Sequence, residues 1–167
     1  MLIRHALSTV ALLATGLFLA ACGQEAEAPP AMEDAAGAAE VTGAAAPALP
    51  RTPSPGDARV FFISPADGDT VSNPVRIEFG IEGMSVVPAG DDTQHSGHHH
   101  LVIDAKLPDP NLPVPANDNY IHFGDGSTAT ERTLKPGEHT LQLILGDHLH
   151  IPHDPPVVSE VITITVE

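Results

Sequence analysis

"NPVRIEFGIEG", residues 73–83, alternates apolar and polar positions with a period of two. Val75, Ile77, Phe79 and Ile81 share one face, and the positions between them are charged residues or glycine. Because successive side chains of a β-strand point to opposite faces, this pattern predicts a strand that buries one face against a core. The stretch indicates a β-protein, provided that neighbouring segments show the same period.

Other segments of the chain also have the character of short strands. Proline and glycine clusters separate them, and no helical period longer than one turn occurs. About six or seven short strands in about 110 residues favour an all-β, immunoglobulin-like antiparallel β-sandwich, with a small β-barrel as the alternative. The further predicted strands are residues 59–63, 98–104, 130–134, 139–145 and 157–167.

The N-terminal segment has the sequence pattern of an export signal. "MLIRHALSTVALLATGLFLAACGQ" places Arg4 before an apolar stretch that is too short to span a bilayer and ends in small residues. The residues "LAAC" match the bacterial lipobox, so the resemblance to lipoproteins implies a signal peptide over 1–21 and a lipid on Cys22. Gly23 follows instead of the aspartate that commonly retains lipoproteins at the inner membrane. The expected location is therefore the cell envelope, at the periplasmic face of the outer membrane.

Composition divides the remaining chain into a tether and one domain. Residues 22–57 are mostly Ala, Pro, Gly and Glu without an aromatic residue, which is typical of a flexible spacer. Residues 58–167 have the length of a single domain, expected to be monomeric. Cys22 is the only cysteine, so no disulfide can form within the chain. Without residues 1–21 the formal charge is −16, which argues against a nucleic-acid partner.

Three histidine-bearing segments carry a resemblance to a known family. These are "GHHHLVID", "YIHFGDGSTATE" and "LKPGEHTLQLILGDHLHIPHDPP", followed by the closing "SEVITITV". Together they resemble an uncharacterised family of small bacterial exported domains, over roughly residues 60–167. The resemblance implies a compact β-domain of the cell envelope and no assigned activity.

Nine of the ten histidines lie beyond residue 94, and four of them fall within residues 95–100. If 98–104 and 139–145 are antiparallel neighbours, the start of the first lies beside the end of the second. Two His-x-His pairs would then face outward on adjacent strands, with i and i+2 about 7 Å apart. By the same parity His99 faces inward, and His139 lies at the opposite end. The predicted metal ligands are His98, His100, His148 and His150, with His95, His122, His153, Asp147 and Asp154 as further candidates.

Ligand chemistry narrows the ion to Zn²⁺ or Cu²⁺. The domain offers imidazoles and carboxylates but no thiolate, and Met84 is its one methionine. The sequence thus predicts a lipid-anchored metal-binding domain. The alternative is a non-catalytic envelope interaction or structural module with a protein partner, in which the histidines form a surface or pH-responsive patch. No catalytic role is expected. The one credible route would be a zinc-bound water held by three histidines, with Glu131 or Asp104 as base.

Overall fold

The computed structural model describes residues 49–167. The signal peptide 1–21, the lipidation of Cys22 and most of the tether lie outside the described residues. No helix occurs within 49–167, and so none there is long and apolar enough to cross a membrane. The nine strands are β1 (Arg59–Ser64), β2 (Thr70–Val71), β3 (Val75–Glu82), β4 (Ser85–Val86), β5 (Ser96–Ile103), β6 (Tyr120–His122), β7 (Ala129–Arg132), β8 (Gly137–Gly146) and β9 (Ile162–Val166).

The strands form two open sheets. The first has the order β1-β3-β7, and the second has the order β2-β9-β8-β5-β4, with β6 also beside β5. Only β2 with β9 and β4 with β5 pair in parallel. Neither sheet closes on itself, and β5, β8 and β9 are neighbours, as in an immunoglobulin-like sandwich. The all-β sandwich predicted from the sequence is confirmed.

One apolar core joins the two sheets, and it is built by the predicted faces. Of the β3 face, Val75, Ile77 and Phe79 are fully buried, whereas Ile81 is only partly buried. Burial of such side chains, at about 25 cal/mol per Å² of apolar surface, is the main source of stability in a chain with no disulfide. The other strands contribute Val60, Leu101, Ile103, Leu141, Leu143, Leu145, Ile162, Ile164 and Val166.

A second, smaller apolar cluster lies on the other face of the six-stranded sheet. Val102 and Ile144 pack there against Val114 from the long segment that follows β5. Every residue of β5 is buried. The outward face of this strand, which its pattern alone would leave at the surface, is covered by irregular chain.

The start of the last strand differs most from the sequence prediction. β9 begins at Ile162 instead of near residue 157, because the preceding residues make only an isolated bridge, between Val158 and Ile144. Residues 51–54, whose composition is that of the tether, hydrogen-bond to the 147–155 segment that follows β8.

Candidate metal centre

Strand β5 places its three consecutive histidines on alternating faces. His98 and His100 point away from the main core, whereas His99 points into it and lies edge-on to Phe79, with ring centroids 4.8 Å apart. All three side chains are fully buried. The predicted parity of these residues is therefore correct, but the outward pair lies under covering segments and not at the surface.

His122 completes a group of three. β6 pairs antiparallel with β5, and the register sets His122 directly opposite His100. One ligand nitrogen from each of His98, His100 and His122 lies within 4.8 Å of the others, so the three residues could hold a metal ion. The Nε2 atoms of His98 and His100 are 3.1 Å apart. Two nitrogens bound to one tetrahedral zinc ion would be about 3.3 Å apart, given Zn–N distances of about 2.0–2.1 Å.

His150 adds a fourth imidazole from the turn after β8. Its ring centroid lies 4.9 Å from that of His98 and 4.7 Å from that of His122. Its backbone has a φ of 67°, a left-handed conformation that is uncommon outside glycine. The turn holds this conformation because the Asp147 carboxylate accepts hydrogen bonds from the backbone N–H groups of Leu149 (2.8 Å) and Ile151 (3.0 Å).

The four rings have the spacing of a tetrahedral site. With Zn–N near 2.05 Å and the ring centre about 1.1 Å beyond the nitrogen, tetrahedral imidazoles have centroids about 5 Å apart. Five of the six separations among the four rings are 4.7–5.0 Å, and the sixth, between His100 and His150, is 6.0 Å. The four rings lie close together without a carboxylate among them, and the ligand nitrogens of three of them, His98, His100 and His122, lie within 4.8 Å of one another.

The ring nitrogens of His98, His100 and His122 have few hydrogen-bond partners in the protein. In the described part of the chain, Nδ1 of His98, Nδ1 of His100 and Nε2 of His122 are buried without a hydrogen bond. Unpaired buried polar atoms are rare, and an ion bound by Nε2 atoms would account for that of His122, whereas the Nδ1 atoms of His98 and His100 would stay unpaired. The Nε2 atoms of His98 and His100 contact only each other, so all three Nε2 atoms are available to one ion.

Burial keeps these imidazoles neutral. The pKa of His98 falls to about 4, chiefly through desolvation and then through the neighbouring His122 and His150. Desolvation, followed by the charge of His98, lowers the pKa of His100 to about 2. The pKa of His122 is lowered as well, first by burial and then by His150. A neutral imidazole has a free lone pair, so at neutral pH the ligands need lose no proton to bind a cation.

The other candidate histidines lie outside this group. β8 ends at Gly146, so neither His148 nor His150 continues its alternation as predicted. His150 reaches the group through the turn, whereas none of the ring contacts among residues 49–167 involves His148. His95 is exposed and immediately precedes β5. His153 is buried, with Nε2 3.1 Å from the Ser96 carbonyl oxygen and Nδ1 3.4 Å from that of Leu145.

The candidate carboxylates are engaged elsewhere. Asp147 is buried, and its second oxygen accepts a 2.7 Å hydrogen bond from the Thr52 hydroxyl. It shapes the turn that carries His150. Asp154 forms an ion pair with Arg51 at 3.3 Å. Of the two suggested bases, Asp104 follows the far end of β5 and binds His139, and Glu131 lies on β7 in the other sheet, near Arg76.

Two glycines make room for the imidazoles. A Cβ atom on Gly146 would lie 2.9 Å from Nε2 of His100, and one on Gly124 would lie 2.3 Å from Cε1 of His122. Real Cβ atoms essentially never approach so closely, so any other residue would displace a ring. His122 lies in a three-residue strand, which is too short to give a clear sequence pattern. The one sequence feature that indicates a closely packed ring at this position is Gly124, two residues later.

The comparisons with known proteins identify a family but no activity. No curated protein and no solved structure matches the chain. A family model described as a domain of unknown function, DUF4399, matches residues 77–167. This range contains all four clustered histidines and both glycines, and it covers more than half of the sequence. The chain belongs to the DUF4399 family.

Proposed function

We propose that this protein is a lipid-anchored cell-envelope domain that binds one divalent metal ion through His98, His100, His122 and His150. The observation that carries the proposal is the convergence of nitrogens from His98, His100 and His122 within 4.8 Å of one another. His122, one of the further candidates, takes the place of the predicted His148 in this set. His150 was predicted as a ligand, and the turn at Asp147 brings it back over β5.

Burial favours a binding site over a surface patch. A pH-responsive patch needs histidines that solvent can protonate near pH 6.5, their ordinary pKa. His98 and His100 are fully buried and have strongly lowered pKa values. Two fully buried imidazoles packed against two half-buried ones are costly unless something binds their nitrogens.

The donor set favours zinc or copper. All four groups are neutral nitrogen ligands, which suit Zn²⁺ and Cu²⁺ better than the oxygen-preferring Mg²⁺ or Ca²⁺. Four imidazoles would also fill a tetrahedral shell. We therefore propose binding, storage or transfer of the ion as the role, in preference to hydrolysis at an open position.

The location is proposed from the sequence. A basic start, a short apolar stretch and "LAAC" before Gly23 support export and lipidation of Cys22. The acidic composition suits a protein that is solvated in the envelope and attracts cations.

Calorimetric titration of the untagged full-length protein with Zn²⁺ and Cu²⁺ tests the proposal. One ion per chain with sub-micromolar affinity is expected. His122→Ala should weaken binding at least about tenfold, and because His122 is only half-buried the variant should still fold. His148→Ala is the matched control, since it removes a histidine next to the site but outside the cluster. Shallow binding of several ions, equal in both variants, would refute the proposal.

A further inference from the structure

We infer that Arg51 and Thr52 are positioning residues for the metal centre, acting through the turn that carries His150. This inference rests on the proposed function and adds residues outside the family match, which begins at residue 77. Residues 51–54 are called the strap below.

The strap binds the His150 turn on both sides. The Arg51 guanidinium donates to the carbonyl oxygens of Pro152 (3.0 Å from Nε) and His153, and it pairs with the Asp154 carboxylate. The Arg51 side chain is only 16% exposed, so its bonds to the two carbonyl oxygens are partly shielded from water, whereas Asp154 is 65% exposed. Charge-assisted hydrogen bonds of this kind are about twice as strong as neutral ones.

Backbone bonds extend the attachment. The Asp154 N–H donates to the Thr52 carbonyl at 2.9 Å, and the Ser54 N–H donates to the Asp154 carbonyl at 3.0 Å. Pro53 and Asp154 form a parallel bridge. The strap therefore acts as a short extra strand along the segment after His150.

Thr52 reaches the part of the turn before His150. Its hydroxyl donates to Oδ2 of Asp147 at 2.7 Å, while Oδ1 of the same carboxylate holds the N–H groups of Leu149 and Ile151. Thr52 thus orients the carboxylate that fixes the left-handed backbone of His150. The Val114 N–H also holds the turn by donating to the His150 carbonyl at 2.8 Å. The segment after the turn is further anchored by the Gly146–Pro152 bridge and by the buried His153 ring.

A centre assembled from three strand residues and one turn residue depends on the turn being in place. His98, His100 and His122 are fixed by sheet register, whereas His150 is fixed by Asp147 and the strap. Loss of the strap should release His150 first. By linkage, binding of the ion should in turn stabilise the bound strap.

A double-mutant cycle on the full-length protein tests the inference. The variants are Arg51→Gln, Arg51→Lys, His150→Ala and the Arg51→Gln/His150→Ala pair. Arg59→Ala is the control, because Arg59 is an exposed arginine whose ion pair with Glu82 lies in the other sheet. Zn²⁺ affinity is measured for each, and Co²⁺ absorption reports the ligand geometry.

Arg51→Gln should lower Zn²⁺ affinity about 10- to 100-fold, and its Co²⁺ spectrum should approach that of His150→Ala. Arg51→Lys should recover part of the loss, and Arg59→Ala should bind normally. Adding Arg51→Gln to His150→Ala should change affinity by less than about twofold, because the two act through one group. Additive losses with an unchanged Co²⁺ spectrum would overturn the inference while leaving the metal site intact. Absence of any tight Zn²⁺ site in the wild-type protein would overturn both proposals.

Discussion

Gly146→Ala should damage the metal centre while leaving the fold in place. Gly146 is the last residue of β8 and pairs with His98 across the sheet. Its φ is not in the left-handed region, so alanine introduces no backbone strain. The effect of the substitution comes from one added methyl group and the imidazole beside it.

The magnitude follows from the contact distances. The new Cβ would lie 2.9 Å from Nε2 and 3.2 Å from Cδ2 of His100, and 3.4 Å from the carbonyl carbon of His150. An ordinary contact is about 3.5–4.0 Å, so the His100 ring must move by roughly 0.5 Å or more. Ligand positions must hold within about 0.5 Å for a site to function, so we expect Zn²⁺ affinity to fall on the order of tenfold or more. Overpacking should cost about 1–3 kcal/mol of stability.

Competition with a chromophoric chelator measures the affinity, and thermal unfolding in EDTA measures the stability of the metal-free form. Gly56→Ala is the matched control, because a Cβ at Gly56 would meet nothing within 4 Å. If Gly146→Ala binds Zn²⁺ as tightly as Gly56→Ala, Nε2 of His100 is not a ligand and the tetrahedral arrangement is wrong.

Asp104→Asn should destabilise the protein by up to about 1 kcal/mol, more at acidic than at alkaline pH in urea unfolding. Burial tends to lower the pKa of His139, but bonds to Asp104 (2.6 Å) and the Lys135 carbonyl, with the Asp104 charge, raise it overall. The His139–Asp104 pair therefore contributes its full stabilisation below pH 6.5 and loses it as the pH rises through the raised pKa of His139. A loss of stability in Asp104→Asn that does not vary with pH would contradict this prediction. Leu143→Ala, at a fully buried position, should lower the free energy of unfolding by about 2–5 kcal/mol in the same assay. Leu149, which is 49% exposed, is the control, and Leu149→Ala should cost little. Equal losses in the two variants would contradict the core described above. Cys22→Ser should abolish lipid labelling and release the protein from the membrane fraction, and unchanged fractionation would disprove the anchor.

The strand faces could be predicted from the sequence because they depend on local periodicity. Leu141, Leu143 and Leu145 alternate along β8, and all three lie in the core. The pairing of β5 with β8 followed from the usual order of the sandwich. Burial of His98 and His100 could not be predicted, since it depends on a long irregular segment covering the sheet.

Which histidines form the cluster depends on two features that leave no periodic pattern in the sequence. Parity arguments extend only as far as a strand does, and β8 ends before His148. Past that point a side chain, Asp147, sets the backbone, so His150 faces the cluster and His148 does not. His122 required the pairing of β6 with β5, and a three-residue strand has too little alternation to reveal it.

The complete burial of β5 also has a kinetic consequence. An ion approaching from solvent cannot reach His98 or His100 directly, because neither ring has any exposed surface. It must first meet His122 or His150, which are only half-buried, or wait for the turn to open. If an ion binds as proposed, its exchange with solvent depends on passage at His122 and His150 and on opening of that turn, whereas its equilibrium affinity depends on all the ligands together.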